Sequence, residues 1–156
     1  MNIKERLHRI LATLPDGVKL VAVSKFHPAE AVEEAYNAGQ RIFGESRPQE
    51  MAAKAKVLPK DIEWVMIGHL QTNKVKMIAP FVSLVASADS ERLIEEIEKQ
   101  AAKNERTIDI LLEVHIADEE SKSGWSLSEL REYLSSGALE RMEHIRVRGV
   151  MTIATN

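Results

Sequence analysis

The feature that most constrains this chain is an alternation of strand-length apolar runs with amphipathic segments, repeated six times within 156 residues. The runs are "VKLVAVSK", "RIFGES", "IEWVMIGHL", "VSLVASAD", "TIDILLEVHIA" and "IRVRGVMTIA", and they are more nearly continuous in apolar character than alternating. Between them the period changes to that of a helix. "PAEAVEEAYNAG" is opened by Pro28 and closed by Gly39, and is followed in turn by "PQEMAAKAKVL" and the shorter "TNKVKMIAPF". "SERLIEEIEKQAAKN" has Ser90 as N-cap and Leu93, Ile94, Ile97 and Ala101 on one face, and in "SLSELREYLSSG" Ser126 and Glu129 stand at capping-box spacing. A further helix, "NIKERLHRILATL", precedes the first strand and ends at "PDG". Strands that are apolar on both faces and joined through helices make a parallel sheet.

Such a sheet is either open and doubly wound or closed as a (β/α)8 barrel. The first strand-to-helix turn of an open, dinucleotide-type sheet carries glycines, and "SKFHPAE" has none. Polar residues also recur where strands end: Lys25, Glu45 and Ser46, His69, Ser87, and His115. A barrel collects all strand C-termini on one face, where active sites lie, and so accounts for the recurrence. The expectation is a (β/α)8 TIM barrel, incomplete here: one domain over residues 1–156, with about six βα units and an extra N-terminal helix, lacking the last two units.

Composition narrows the function classes. With 21 Lys+Arg against 24 Asp+Glu the net charge is -3, and the signs are interspersed, which argues against a nucleic-acid or membrane surface. The absence of cysteine excludes disulfides, thiolate metal ligands and cysteine nucleophiles. "MNIKERLHRILATL" lacks the apolar core of a secretion signal and no run reaches membrane-spanning length, so the reading is a cytoplasmic protein.

If Lys25 faces the barrel mouth, period-two alternation places Val21 and Val23 in the interior below it and turns Leu20, Ala22 and Ser24 toward the helices. An amine desolvated there is pushed toward its neutral form, whose lone pair condenses with an aldehyde to a Schiff base. A lysine that merely extends from the strand end into water is the alternative. Ser87 either offers a hydroxyl at the mouth or satisfies a strand-end backbone group. Glu113 and His115 share a face with Leu111, but with no third ligand at a suitable spacing they read as a polar network and not as a metal site. The loop "EESKSGW", with Glu119, Glu120 and Lys122, is either a lid or a solvated turn.

The segments "VAVSKFHP", "GQRIFGESRPQE", "IEWVMIGHLQTNK", "VASADSERL", "LLEVHIADEESKSGW" and "VRGVMTI" occur in that order over essentially the whole chain. In them the sequence resembles the pyridoxal-5'-phosphate homeostasis protein family, whose barrel is similar to the N-terminal domain of alanine racemase. The resemblance implies that Lys25 carries pyridoxal 5'-phosphate as a Schiff base, with Ser46, His69 and Ser87 on the cofactor side and Glu45 structural. Ser46 stands where many members have asparagine and has the shorter reach. Gln71, Asn73 and Lys74 either fix the loop after the third strand or touch the cofactor. The resemblance further implies a monomeric carrier without established catalysis that passes the cofactor to dependent apoenzymes, with its phosphate contacts supplied by later strands. The alternatives are an amino-acid racemase or decarboxylase of the same barrel type, and a non-catalytic module with a vestigial site.

Overall fold

The computed structural model describes residues 1–116 and 124–154. In chain order the elements are α1 (Ile3–Thr13), β1 (Ala22–Val23), α2 (Ala29–Asn37), β2 (Ile42–Glu45), α3 (Pro48–Val57), β3 (Glu63–Met66), α4 (Val75–Ile78), β4 (Leu84–Ala88), α5 (Glu91–Lys103), β5 (Ile108–Glu113), α6 (Leu127–Ser135) and β6 (Ile145–Met151). Single 3-10 turns, Thr72–Lys74 and Leu139–Arg141, precede α4 and β6. The six strands form one sheet in the order β1-β2-β3-β4-β5-β6, and every pair is parallel. An open doubly wound sheet reverses its strand order at a switch point; strictly sequential order is the winding of a barrel wall.

One apolar cluster shows which face the helices cover. It joins Val32 and Ala35 of α2, Met51 of α3, Ile78 of α4, Ile94 and Ile97 of α5 and Leu130 of α6 to Phe43, Trp64, Met66, Val85, Ile108, Ile110 and Leu112 of the strands. Each large side chain sealed there, such as Phe43 or Ile97, contributes about 1.5–3 kcal/mol. The alternate strand residues face inward. On that side a Cβ added to Gly44 would lie 3.0 Å from Val21 Cγ1 and 3.2 Å from Ile67 Cγ2, so the inner faces of β1, β2 and β3 meet across this glycine.

Local chemistry sets the ends of the elements. Ser90 caps α5 by accepting from Leu93 N at 3.2 Å, and Ser126 caps α6 by accepting from Glu129 N at 3.2 Å. The Glu129 carboxylate returns to the Ser126 hydroxyl, 2.8 Å away, and not to the backbone amide that a full capping box would use. Strand β1 is far shorter than the run of residues 18–25 suggests: its register covers only Ala22 with Phe43 and Val23 with Gly44. Before Ala22 a side chain replaces the ladder: Gln40 Nε2 donates to both Leu20 O and Ile42 O at 2.8 Å. Strand β4 carries an irregularity between Val85 and Ala88, which pair with Ile110 and Leu112, so three steps on β4 match two on β5.

Candidate functional site

Lys25 follows directly on β1, where Ser24 N still donates to Gly44 O at 2.9 Å and continues the ladder. Ser24 is buried and turned toward the helices, so alternation sends Lys25 to the inner face. The chain then reverses: His27 N donates to Ser24 O at 3.1 Å, closing a turn with Lys25 and Phe26 at its centre. Phe26 has φ 65°, the sign that a type II turn requires at its third position and that glycine ordinarily supplies. A left-handed phenylalanine costs about 1–3 kcal/mol and persists only where its surroundings hold it.

What holds it lies behind the strand. Lys54 Nζ, 6% exposed on α3, donates to Ser24 O at 2.7 Å, to Glu45 Oε2 at 2.8 Å and to Glu50 Oε2 at 2.9 Å, which uses all three of its hydrogens. The Ser24 hydroxyl also donates to Glu45 Oε2, and Glu50 Oε2 accepts from Phe26 N at 2.8 Å. Arg47 lies over the Phe26 ring, 4.8 Å from its centroid. The residues on either side of Lys25 are therefore tied to α3, while Lys25 itself is exposed and has no hydrogen-bond or ion-pair partner among the described residues. Partial burial raises the Glu50 carboxyl, but the Lys54 hydrogen bond, the Phe26 amide and the charges of Lys54 and Arg47 outweigh it and hold it below the usual glutamate range. Glu45 is fully buried, and its second oxygen, Oε1, has no partner among the described residues.

The next strand ends touch one another. Ser46, half-buried, packs so closely on Gly68 that a Cβ there would lie 2.9 Å from Ser46 Cβ and 2.9 Å from Ser46 O. Ser87 is fully buried, and its hydroxyl donates to Gly68 O at 2.6 Å, so it satisfies a strand-end carbonyl. His69 is exposed; its Nδ1 lies 3.0 Å from Oδ2 of Asp89, whose side chain is mostly buried. Of the "LQTNK" loop, Gln71 and Asn73 are exposed, Lys74 is half-buried, and Lys74 N closes a turn to Gln71 O at 3.0 Å. On β5 Glu113 is buried and His115 half-buried, and the backbone beyond the strand pairs with Trp125: His115 N donates to Trp125 O and Trp125 N to Glu113 O, each at 2.8 Å. Glu119, Glu120 and Lys122 lie outside the described residues.

Lys25, Ser46, His69 and Ser87 thus stand at the ends of four consecutive parallel strands. Gly44, Ser46, Gly68 and Ser87, at or near the ends of β2, β3 and β4, carry nothing larger than a hydroxymethyl group. An exposed amine without a partner among the described residues is free to react as a nucleophile, and the Ser46 hydroxyl, also without a partner among the described residues, is free to donate or accept a hydrogen bond. Clefts of about 340 Å³ on the outer side between α3 and α4, of about 410 Å³ at the opposite end of the strands beside Lys19, Ile42 and Asp109, and of about 500 Å³ just past β4 beside Asp89, Trp125 and Glu129 do not include Lys25.

Sequence reasoning passed over Glu50 and Lys54. Their signal was positional: Pro48, Met51 and Lys54 recur at three-residue spacing and form the buried face of α3, so Lys54 sits where an apolar residue is expected.

Fold and strand-end geometry define a lysine-bearing barrel wall of the alanine racemase N-terminal type. The family profile described as "Alanine racemase, N-terminal domain" matches residues 1–156. A "Pyridoxal phosphate homeostasis protein" of Aquifex aeolicus is 40% identical over 98% of this chain and 71% of its own length. The protein of that name in Schizosaccharomyces pombe is 37% identical over 89% of this chain and 59% of its own. The chain belongs to the pyridoxal phosphate homeostasis protein family. These relatives are named as homeostasis proteins and not as enzymes. PipY of Synechococcus elongatus superposes with a TM-score of 0.90 without pyridoxal phosphate and 0.87 with it bound, at 39% and 38% identity, each over 98% of this chain and 71% of PipY. Alanine racemase of E. faecalis, at 16% identity and TM-score 0.77, shares the fold over 42% of its length. The chain therefore spans between about three fifths and seven tenths of these homeostasis relatives and of PipY.

Proposed function

We propose that this chain carries the lysine-bearing wall of a pyridoxal 5'-phosphate site in a protein that holds the cofactor reversibly for homeostasis. Lys25 is the attachment point: its neutral amine adds to the cofactor's aldehyde carbon, water leaves, and an imine to Nζ remains. The observation that carries this reading is the Lys25 amine at the end of β1, without a partner among the described residues, in a fold that superposes closely on a PipY structure with pyridoxal phosphate bound. The cofactor would supply an aldehyde that captures amines; this chain supplies the nucleophile and the small residues at or near the ends of β2, β3 and β4. Ser46 and His69 are proposed to face the ring. Ser87 acts at one remove, by fixing the Gly68 carbonyl beneath Ser46.

The phosphate contacts and the last two βα units of the barrel are assigned to the part of the longer relatives that this chain does not span. We read the protein as a cytoplasmic monomer that passes cofactor to dependent apoenzymes without turning over a substrate of its own. Among the described residues no helix is long and apolar enough to cross a membrane. The test is to incubate the chain with pyridoxal phosphate, reduce with borohydride and map the adduct by peptide mass. A single phosphopyridoxyl group on Lys25, lost in Lys25→Ala, is expected. Labelling spread over the surface lysines, in this chain and in a longer homologue alike, would sink the reading.

A further inference from the structure

We propose that Glu50 and Lys54 on one face of α3, with its N-cap Arg47, are the positioning device that presents Lys25, with Glu50 its decisive member. The proposal rests on the reading of Lys25 as the cofactor's lysine and adds the residues that make that lysine reactive.

Glu50 and Lys54 lie four positions apart and share a side of the helix, and Arg47 is its N-cap. Each engages one part of the turn around Lys25. Lys54 Nζ takes the Ser24 carbonyl at 2.7 Å, Glu50 Oε2 takes the Phe26 amide at 2.8 Å, and Arg47 covers the Phe26 ring at 4.8 Å. The Phe26 amide is decisive because the left-handed φ of 65° is what reverses the chain directly after Lys25. A bulky residue does not adopt that conformation unaided. Lys54 alone would not maintain it, since its contact is to the carbonyl before Lys25 and leaves the amide after it free. Glu50 ties the two sides together: the same oxygen accepts from Phe26 N and from Lys54 Nζ. The amine is thereby held in place through its backbone, with no hydrogen bond or ion pair of its own among the described residues to break before it reacts. Fixing a nucleophile in this way shows in its rate relative to a lysine with a similar amine and no such support.

Lys99, exposed on α5, provides that reference within the same molecule. The experiment labels the folded chain with limiting pyridoxal phosphate and cyanoborohydride and reads the Lys25-to-Lys99 adduct ratio, alongside hydrogen exchange at the Phe26 amide. In Glu50→Ala the ratio is expected to fall about tenfold or more, since misplacement by an ångström carries penalties of that order. Phe26 should exchange faster. Glu50→Gln keeps an acceptor for the amide and should recover most of the ratio. Phe26→Pro, which leaves every buried charge in place but removes the amide hydrogen and cannot take the left-handed φ, should lower the ratio by breaking the turn, and it serves if Glu50→Ala does not fold. An unchanged ratio in a folded Glu50→Ala or Phe26→Pro overturns the proposal. If the unmodified chain shows no preference for Lys25, the cofactor reading fails instead; the proposal then falls with it if Phe26 exchange is also the same in Glu50→Ala as in the unmodified chain.

Discussion

Two lysines lie on opposite sides of one strand end, and they differ in everything but side-chain type. Lys54, behind the sheet, is 6% exposed and gives its three hydrogens to two carboxylates and a carbonyl. Lys25, on the mouth side, is exposed and gives its hydrogens to no described residue. The buried ammonium is fully consumed by structure. The exposed amine is left free because the neighbouring backbone has already been satisfied by the buried one. A protein that needs a reactive amine at a fixed place can thus separate the two tasks, with one lysine to hold the loop and another to react.

The comparison breaks most visibly in stability. Lys54→Met leaves Glu45 charged and buried with only the Ser24 hydroxyl, and truncating one partner of such a pair costs about 3–5 kcal/mol. Lys25→Met removes a solvated amine and should change stability by less than about 0.5 kcal/mol. Urea unfolding followed by circular dichroism measures both, and equal losses would erase the distinction. A smaller effect is expected on the mouth side alone from Gly68→Ala. The new Cβ would sit 2.9 Å from backbone and side-chain atoms of Ser46, so one strand end must shift, at about 1–3 kcal/mol. Cofactor affinity should fall with it, whereas Lys54 and its carboxylates stay in place. Below this lies Ser87→Ala, which strips the Gly68 carbonyl of a buried donor for about 1 kcal/mol. If Ser87 touched the cofactor directly, its loss would lower affinity without lowering stability, the reverse of this expectation.

The two sides were also unequally legible. Continuous apolar runs and 3.6-residue patterning located all six strands and the helices between them, because sheet and helix burial are written in apolar residues. Patterning did not show that β1 is paired over two residues only, since the Gln40 amide that replaces its ladder looks like an ordinary loop residue. Lys25, His69 and Ser87 were singled out because polar residues that end apolar runs stand out. Glu50 and Lys54 were missed because, at four-residue spacing, they read as a solvated surface pair of a helix. Only the third dimension shows that this pair faces a carbonyl and an amide of the turn around Lys25. Ser87 was read with two roles open, and the hydrogen bond to Gly68 O supports the backbone one.

The finest test of the comparison is pH, acting through Glu50. Its carboxyl is held below the usual glutamate range in the fold, with partial burial opposing and the Lys54 and Phe26 hydrogen bonds prevailing. A depressed folded pKa means that the ionised form is the one the fold favours. The contribution is therefore complete above the unfolded value of about 4.3 and disappears as pH falls through the lower folded value. The stability difference between the unmodified chain and Glu50→Gln should be full at neutral pH, no more than about 1 kcal/mol because the carboxylate is partly solvated, and should close in acid. Lys25→Met compared with the unmodified chain should show no such closure, since the mouth-side amine has no carboxylate partner to lose among the described residues. If both differences close together below pH ~4, the acid transition is a property of the whole fold. The separation of a holding lysine from a reacting one would then rest on the Lys54 and Lys25 substitutions alone.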